Sequence, residues 1–153
     1  MDVDEPGWPL IDDFFGRLAD GRASATVRRY ARVRSRLYVF LDTADLTLVL
    51  GSDRAALLEV ERQLHDGGAF WQLFGPDELA CCLPDFLHEP WLPGGAQEAR
   101  VQVTVVARLL ALLGRASAPD VQRAREEIAA RPESPAPAAR LPARFRREAG
   151  WQW

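Results

Sequence analysis

Residues 26–41 carry apolar side chains and arginines at a spacing that fits one helix with two chemically different faces. At the helical turn of about 100° per residue, the apolar residues fall on one side: Val27, Tyr30, Val33, Leu37, Phe40 and Leu41. The opposite side carries Arg28, Arg29, Arg32 and Arg36. A helix of this kind buries its apolar side and leaves a guanidinium-rich side for water or a partner. The pattern therefore favours a helical bundle whose other helices pack against the apolar side of this one.

The ends of this helix and its one irregular arginine give two further expectations. We expect Ser24 or Thr26 to cap its start, because a hydroxyl can accept a hydrogen bond from the first free amides. We expect it to end at residue 41 or 42. Arg34 lies among the apolar positions, which indicates a structural ion pair with Asp12, Asp13 or Asp42.

Other segments also follow helical spacing. Residues 9–20 repeat apolar side chains at one-turn intervals, with Pro9 in the first turn. Residues 52–66 predict a helix capped by Ser52, with this buried face: Leu57, Leu58, Val60 or Glu61, and Leu64. Residues 96–114 predict a long helix, residues 119–130 a short polar one beginning at a proline, and residues 69–95 short helical turns between loops.

Two apolar runs are ambiguous between helix and strand. Residues 46–50 read Leu-Thr-Leu-Val-Leu and fit a strand or an extended linker, because periodicity does not separate them. Residues 101–106 alternate β-branched valines, so a strand competes with the long helix. The apolar run that continues to residue 113 favours the helix, since a strand of that combined length would be unusual.

Together these patterns predict an all-α protein, a small helical bundle with an extended Pro-rich C-terminal tail. The 153 residues suffice for one domain with a core, which we place at 8–115, followed by a polar helix at 116–130 and a Pro-rich linker and Trp-containing tail at 131–153. No apolar stretch approaches the roughly 18 residues of a membrane span, so we expect no membrane partner. The acidic start and the two adjacent cysteines lead us to expect a cytoplasmic location.

The first helices resemble the N-terminal core-binding domain of tyrosine recombinases, or phage integrases, which is a SAM-like helical bundle. The first helix of that family reads roughly I-x-x-F-x-x-x-L, as do Ile11, Phe14 and Leu18. A T-x-x-x-Y motif follows, here Thr26 and Tyr30, with an aromatic-Leu pair ten and eleven residues later at positions 40 and 41. Residues 57–64 and 99–113 resemble the family's third and last helices. The likeness covers residues 9–114, although the segment 69–95 is longer than the family usually carries.

This resemblance implies a bundle that clamps duplex DNA through helix faces that contact phosphates. It does not imply recombination, because the family's chemistry needs a His-x-x-Arg pair and a nucleophilic tyrosine in a separate domain. Here neither His65 nor His88 is followed by arginine at that spacing, and Tyr30 and Tyr38 both lie in the second predicted helix. The remaining residues are too few and too proline-rich for a catalytic domain.

The charge distribution leaves two functional readings of the arginine face open. The chain has a net charge of −3, but residues 21–40 carry six arginines and no acid, while residues 41–100 carry eleven acids and three arginines. Arg28, Arg29, Arg32 and Arg36 are therefore candidate contacts to duplex DNA phosphates. The alternative is that they pair with the acidic segment or are solvated.

A protein-interaction adaptor is the second functional hypothesis. The aromatic segment 70–92 and the tail supply large anchors that could bind a protein partner or a sister subunit, namely Trp71, Trp91, Phe145, Trp151 and Trp153. Large aromatic side chains equally suit a hydrophobic core, and we expect Phe70 and Phe74 to lie in it. The alternative for the tail is that it binds no partner.

Enzymatic activity, a metal site and a cofactor are not expected. No phosphate loop, nucleophile elbow or metalloprotease motif occurs in the sequence. Cys81 and Cys82 with His88 form the weakest candidate, as a zinc site or a Cys/His nucleophile pair, because adjacent cysteines rarely bind one ion together. We expect both cysteines to be small buried residues.

Overall fold

The chain folds into a helical domain, which a computed structural model describes for residues 7–115 and 119–131. The order of elements is α1 (Gly7–Ala19), α2 (Ser24–Thr43), α3 (Thr47–Leu50), α4 (Ser52–Leu64), α5 (Ala69–Leu73), α6 (Pro76–Cys82), a 3-10 helix (Leu83–Leu87), α7 (Ala96–Leu112) and α8 (Pro119–Ala130). Neither described range contains a strand, so the all-α prediction is confirmed at this level.

Helix α2 lies at the centre of the bundle, because its apolar side packs on both α1 and α7. Val33, Leu37 and Phe40 have at most 1% of their surface exposed. The ring of Phe40 lies 5.2 Å from the ring centroids of both Phe86 and Trp91, which brings the 3-10 helix and the following loop onto α2. The predicted apolar side of this helix is therefore the side that the bundle buries.

Helix α7 is helical throughout, so the competing strand at 101–106 was wrong. Ala99, Val103, Val106 and Leu110 follow one-turn spacing and are all buried. Tertiary packing of this face outweighs the weak β preference of valine. Helix α8 begins at Pro119 as predicted, and its buried Val121, Ala124 and Ile128 pack it against α7.

The short run at 46–50 is one helical turn, α3, so both the strand and the extended linker were wrong. Oδ1 of Asp45 accepts hydrogen bonds from the backbone amide of Thr47 at 3.0 Å and from its hydroxyl at 2.6 Å. These bonds fix the start of the turn, which a pattern of apolar residues does not reveal.

Helix α4 has the predicted bounds within two residues but buries a different face. Leu58 is 1% exposed, whereas Leu57, Val60 and Leu64 are 56%, 53% and 70% exposed. Arg62 helps hold the buried side, because its Nη2 donates to the backbone oxygen of Leu41 at 2.9 Å. The predicted buried face was therefore wrong for three of its leucine and valine positions.

The predicted hydroxyl caps were also wrong. Ala23 precedes α2 and Gly51 precedes α4, and neither helix start receives a side-chain capping bond. Gly51 has a φ of 89°, a conformation that glycine adopts without the strain other residues meet. Ser24 and Ser52 are instead the first helical residues.

The predicted segment boundaries fall partly outside the described residues. Residues 1–6, 116–118 and 132–153 are not described, and they include the Pro-rich linker, Phe145, Trp151 and Trp153. The extended tail and the SAM-like type of the bundle therefore stay predictions.

Candidate nucleic-acid interface

The four arginines that form the basic face of α2, Arg28, Arg29, Arg32 and Arg36, differ in exposure along the helix. Arg28 is exposed, and about half of the Arg32 side chain is exposed. The side chains of Arg29 and Arg36 are 30% and 27% exposed. The solvent side of α2 is thus arginine-rich, as predicted.

Glu98 of α7 lies among three of these arginines. Its carboxylate accepts two hydrogen bonds from Arg32, from Nε at 3.2 Å and from Nη2 at 2.7 Å. Nε of Arg29 lies 4.0 Å from one carboxylate oxygen, and Nη2 of Arg36 lies 3.9 Å from the other. One carboxylate therefore partly neutralises three guanidinium groups. Glu98 belongs to the acidic segment 41–100, so three of the arginines do lie beside an acid of that segment.

Gln102, one turn after Glu98, joins the basic face to the core. Its Oε1 accepts a hydrogen bond from Nε of Arg36 at 2.7 Å. Its Nε2 donates to the backbone oxygens of Phe86 at 2.9 Å and Trp91 at 3.1 Å. Gln102 is fully buried, so these three bonds fix the position of Arg36 from inside the bundle.

The electrostatics of this cluster follow from that geometry. The hydrogen bonds from Arg32 lower the pKa of Glu98, and the charges of Arg36 and Arg29 add to the effect. The bond to Glu98 raises the pKa of Arg32, while burial lowers the pKa of Arg36. Glu98 is therefore an anion at neutral pH, and the four arginines of the basic face together with Glu98 keep a net charge of +3.

Arg28 stands apart from this cluster. Within residues 7–115 and 119–131, no ion pair joins it to a carboxylate. It lies one turn before Arg32 on the same helix, so the two most exposed arginines are neighbours along the surface. This pair is the part of the basic face that an external anion reaches most directly.

Arg34, the irregular arginine, forms the predicted structural pair with Asp12 of α1. Its Nε also donates to the hydroxyl of Tyr38 at 2.9 Å, and that hydroxyl donates to Asp12 at 2.8 Å. Burial raises the pKa of Tyr38 to about 12. Asp13 instead pairs with Arg17, and Asp42 accepts the backbone amide of Gly68. Arg34 therefore ties α2 to α1 and takes no part in the basic face.

The aromatic segment contributes mostly to the core. Phe70 is fully buried and Trp71 is 3% exposed, so Trp71 offers almost no surface to a partner in this conformation. Trp91 is partly buried, with its ring against Phe40. Phe74 is also partly buried, at the edge of the core.

The two adjacent cysteines, the weakest candidate site, differ in exposure. Cys82 is fully buried, and burial raises the pKa of its thiol to about 12, whereas Cys81 is exposed, contrary to the expectation that both are buried. Across the described part of the chain, no three His, Cys, Asp or Glu side chains are placed to hold one metal ion. No described helix is long and apolar enough to cross a membrane.

Comparisons with known proteins leave the tyrosine recombinase resemblance as a prediction. No family model, curated protein or solved structure matches the chain. The resemblance therefore continues to depend on the motif residues between Ile11 and Leu41.

Sequence reasoning missed Glu98, Gln102 and the exposed face of α4. The excess of acids in residues 41–100 signalled a carboxylate partner for the arginines but did not single out Glu98, which is 66 residues from Arg32. A glutamine in an apolar helix carries no signal for burial on its own. Gln102 contacts Arg36 only because α2 packs on α7.

Proposed function

We propose that this domain is a non-enzymatic module that binds the phosphate backbone of duplex DNA through the basic face of α2. The observation that carries the proposal is the charge count on that face. Four guanidinium groups share one helix side, and in the described part of the chain Glu98 is the carboxylate that lies within 4.0 Å of any of them. An excess of three positive charges on one face supports binding to a polyanion.

The spacing of the arginines suits several backbone contacts. Positions 28 and 36 lie eight residues apart, about 12 Å along a helix axis. Arg28 and Arg32 supply exposed guanidinium groups that can form charge-assisted bonds with phosphate oxygens. Arg29 and Arg36 are partly buried and contribute positive potential, while Gln102 keeps Arg36 in place.

Glu98 competes with DNA phosphate for Arg32, which makes the proposed binding depend on this carboxylate in a way that can be measured. A phosphate that takes a bidentate contact from Arg32 must compete with the bidentate contact that Glu98 already makes. Removing the carboxylate should therefore strengthen DNA binding, whereas it weakens the fold's own ion pairs. A purely structural arginine cluster has no such dependence.

The resemblance to core-binding domains supports the same function, because that family's bundle clamps duplex DNA through its helix faces. Neither His65 nor His88 is followed by an arginine at the spacing of that family's catalytic pair, so the proposed module acts by occupancy rather than by cutting or joining strands.

The test is a titration of labelled duplex DNA by fluorescence anisotropy at two salt concentrations. We expect binding at low salt that weakens as salt rises, because bound phosphates release counterions. The Arg28→Gln/Arg32→Gln variant should bind more weakly and lower the salt slope by about one for the lost phosphate contact of Arg28, because Glu98 competes for Arg32 in the wild type.

A matched control changes two arginines elsewhere. Arg17→Gln/Arg125→Gln removes the same charge from exposed positions on α1 and α8. This control should keep the wild-type salt slope. Equal loss in both double variants, or no binding at low salt, would contradict the proposed face.

A protein-interaction role is the second candidate, and the exposed leucines of α4 favour it. The aromatic segment, which suggested this role in the sequence, is mostly in the core. The exposed apolar residues of α4 support an interaction instead, and a partner there would compete with any segment of the same chain that docks on them.

A further inference from the structure

Helix α4 presents an apolar stripe to solvent, formed by Leu57, Val60 and Leu64. These residues follow the i, i+3, i+7 spacing of one helix side, and more than half of each residue's surface is exposed. Leu58 and Arg62, which attach α4 to the bundle, lie on another side of the helix. A helix with one apolar side in the core and a second in water indicates a binding surface rather than scattered surface residues.

The segment that carries the apolar stripe has more acids than arginines. Residues 52–66 carry Asp53, Glu59, Glu61 and Asp66 against two arginines. Arg54 pairs with Glu78 at 3.2 Å and Arg62 with Glu59 at 3.7 Å, while Oε2 of Glu61 lies 2.8 Å from Nε2 of His65. Counted over the four acids and two arginines, residues 52–66 carry a net charge of −2. A basic segment with apolar anchors complements this surface.

The C-terminal segment of the same chain has that chemistry. Residues 144–153 read Arg-Phe-Arg-Arg-Glu-Ala-Gly-Trp-Gln-Trp, which combines three arginines and one glutamate with three aromatic residues. Aromatic side chains are the most effective anchors on an apolar patch, and flanking arginines strengthen contact with an acidic rim. The segment and the apolar stripe thus match in both polarity and charge.

The chain length between them permits the contact within one molecule. The described residues end at Arg131, whose guanidinium bonds to the backbone oxygens of Pro93 and Gly94. Residues 132–143 then provide twelve residues, which reach about 37 Å if extended like a proline-rich linker. A bundle of this size has a radius of gyration of about 14 Å, so this reach covers its surface.

We propose that the C-terminal segment, residues 144–153, docks on the apolar stripe of α4 in its own chain, with Phe145, Trp151 and Trp153 as anchors. The tether keeps the segment at a high effective concentration next to the stripe, so a modest intrinsic affinity suffices. The inference uses a different surface from the basic face of α2, and it holds or fails independently of DNA binding.

The test places a photo-crosslinker beside the proposed anchors in the 153-residue chain, with p-benzoylphenylalanine in place of Gln152. After irradiation, we expect crosslinks within one chain to peptides of residues 52–66, identified by mass spectrometry. The Leu57→Gln/Leu64→Gln variant should lower this yield at least about tenfold, because it removes two anchor contacts. The Val39→Gln/Leu112→Gln variant changes two exposed apolar residues elsewhere and should keep the wild-type yield.

A second variant keeps the test independent of the fold of α4. Phe145→Ala/Trp151→Ala changes no residue of the described bundle and should lower the crosslink yield to α4 as well. Crosslinks to other helices, or an unchanged yield in both the stripe and the tail variants, would overturn the proposal. Crosslinks to α4 that form only between two chains would also overturn it, since they would assign the stripe to a second copy.

Discussion

Gln102 accepts a hydrogen bond from Nε of Arg36 at 2.7 Å while its own amide nitrogen donates into the core. The orientation of this amide is determined by its partners, because a guanidinium only donates and backbone carbonyls only accept. One fully buried side chain therefore links the basic face of α2 to the 3-10 helix and the loop before α7.

The first prediction concerns the removal of this link. Gln102→Leu should lower the free energy of unfolding by about 2–3 kcal/mol, because it removes the buried amide that bonds to Nε of Arg36 and to two backbone oxygens. Denaturant unfolding measures the change. Gln97→Leu, an exposed substitution on the same helix, serves as the control and should stay within about 0.5 kcal/mol of wild type. Equal, small effects of both substitutions would contradict the assigned role.

The second prediction concerns alkaline stability and Tyr38. Its pKa is about 12 in the folded chain, above the value of about 10 for an unperturbed tyrosine. The folded state therefore favours the protonated phenol, and this contribution is fully present below pH about 10 and is lost as pH rises toward about 12.

Tyr38→Phe isolates this contribution. It should cost about 1 kcal/mol at neutral pH, since it removes the hydroxyl between Arg34 and Asp12. The difference in unfolding free energy between wild type and the variant should then shrink between pH about 10 and 12. A difference that stays constant over this range would show that the phenol does not titrate as described.

The third prediction concerns the two adjacent thiols. A thiol reacts as its thiolate, so at pH 8 an aromatic disulfide reagent should modify Cys81 in the native chain and Cys82 only after unfolding. The expected result is one fast thiol per chain, absent in Cys81→Ser. Two fast thiols in the native wild type would contradict the burial of Cys82.

The spacing of residues was enough to predict a helix where one side of it packs into the core. The two sides of α2, the helical nature of α7 and the start of α8 at Pro119 follow from spacing and from proline chemistry. The pairing of Arg34 was also predictable, because a charge among apolar positions requires a partner. The sequence did not decide which of three aspartates that partner is.

The rest depends on which elements meet in space. In α4, spacing identified an apolar stripe but not which side faces the bundle, and Leu58 rather than Leu57 and Leu64 enters the core. Prediction of the candidate site from the sequence was limited for the same reason, since Glu98 and Gln102 contact the arginines only through the packing of α7 on α2.

The most direct test of DNA binding by α2 is the salt dependence of duplex affinity in the Glu98→Gln variant. Removing the carboxylate frees Arg32 for phosphate, so affinity should rise and the salt slope should steepen by about one. Glu127→Gln is the matched control, because Glu127 likewise holds an arginine, Arg123, at 2.6 Å. We expect a tighter, more salt-sensitive complex for Glu98→Gln alone; affinity and slope that equal those of wild type, or of the Glu127→Gln control, would contradict DNA binding by this face.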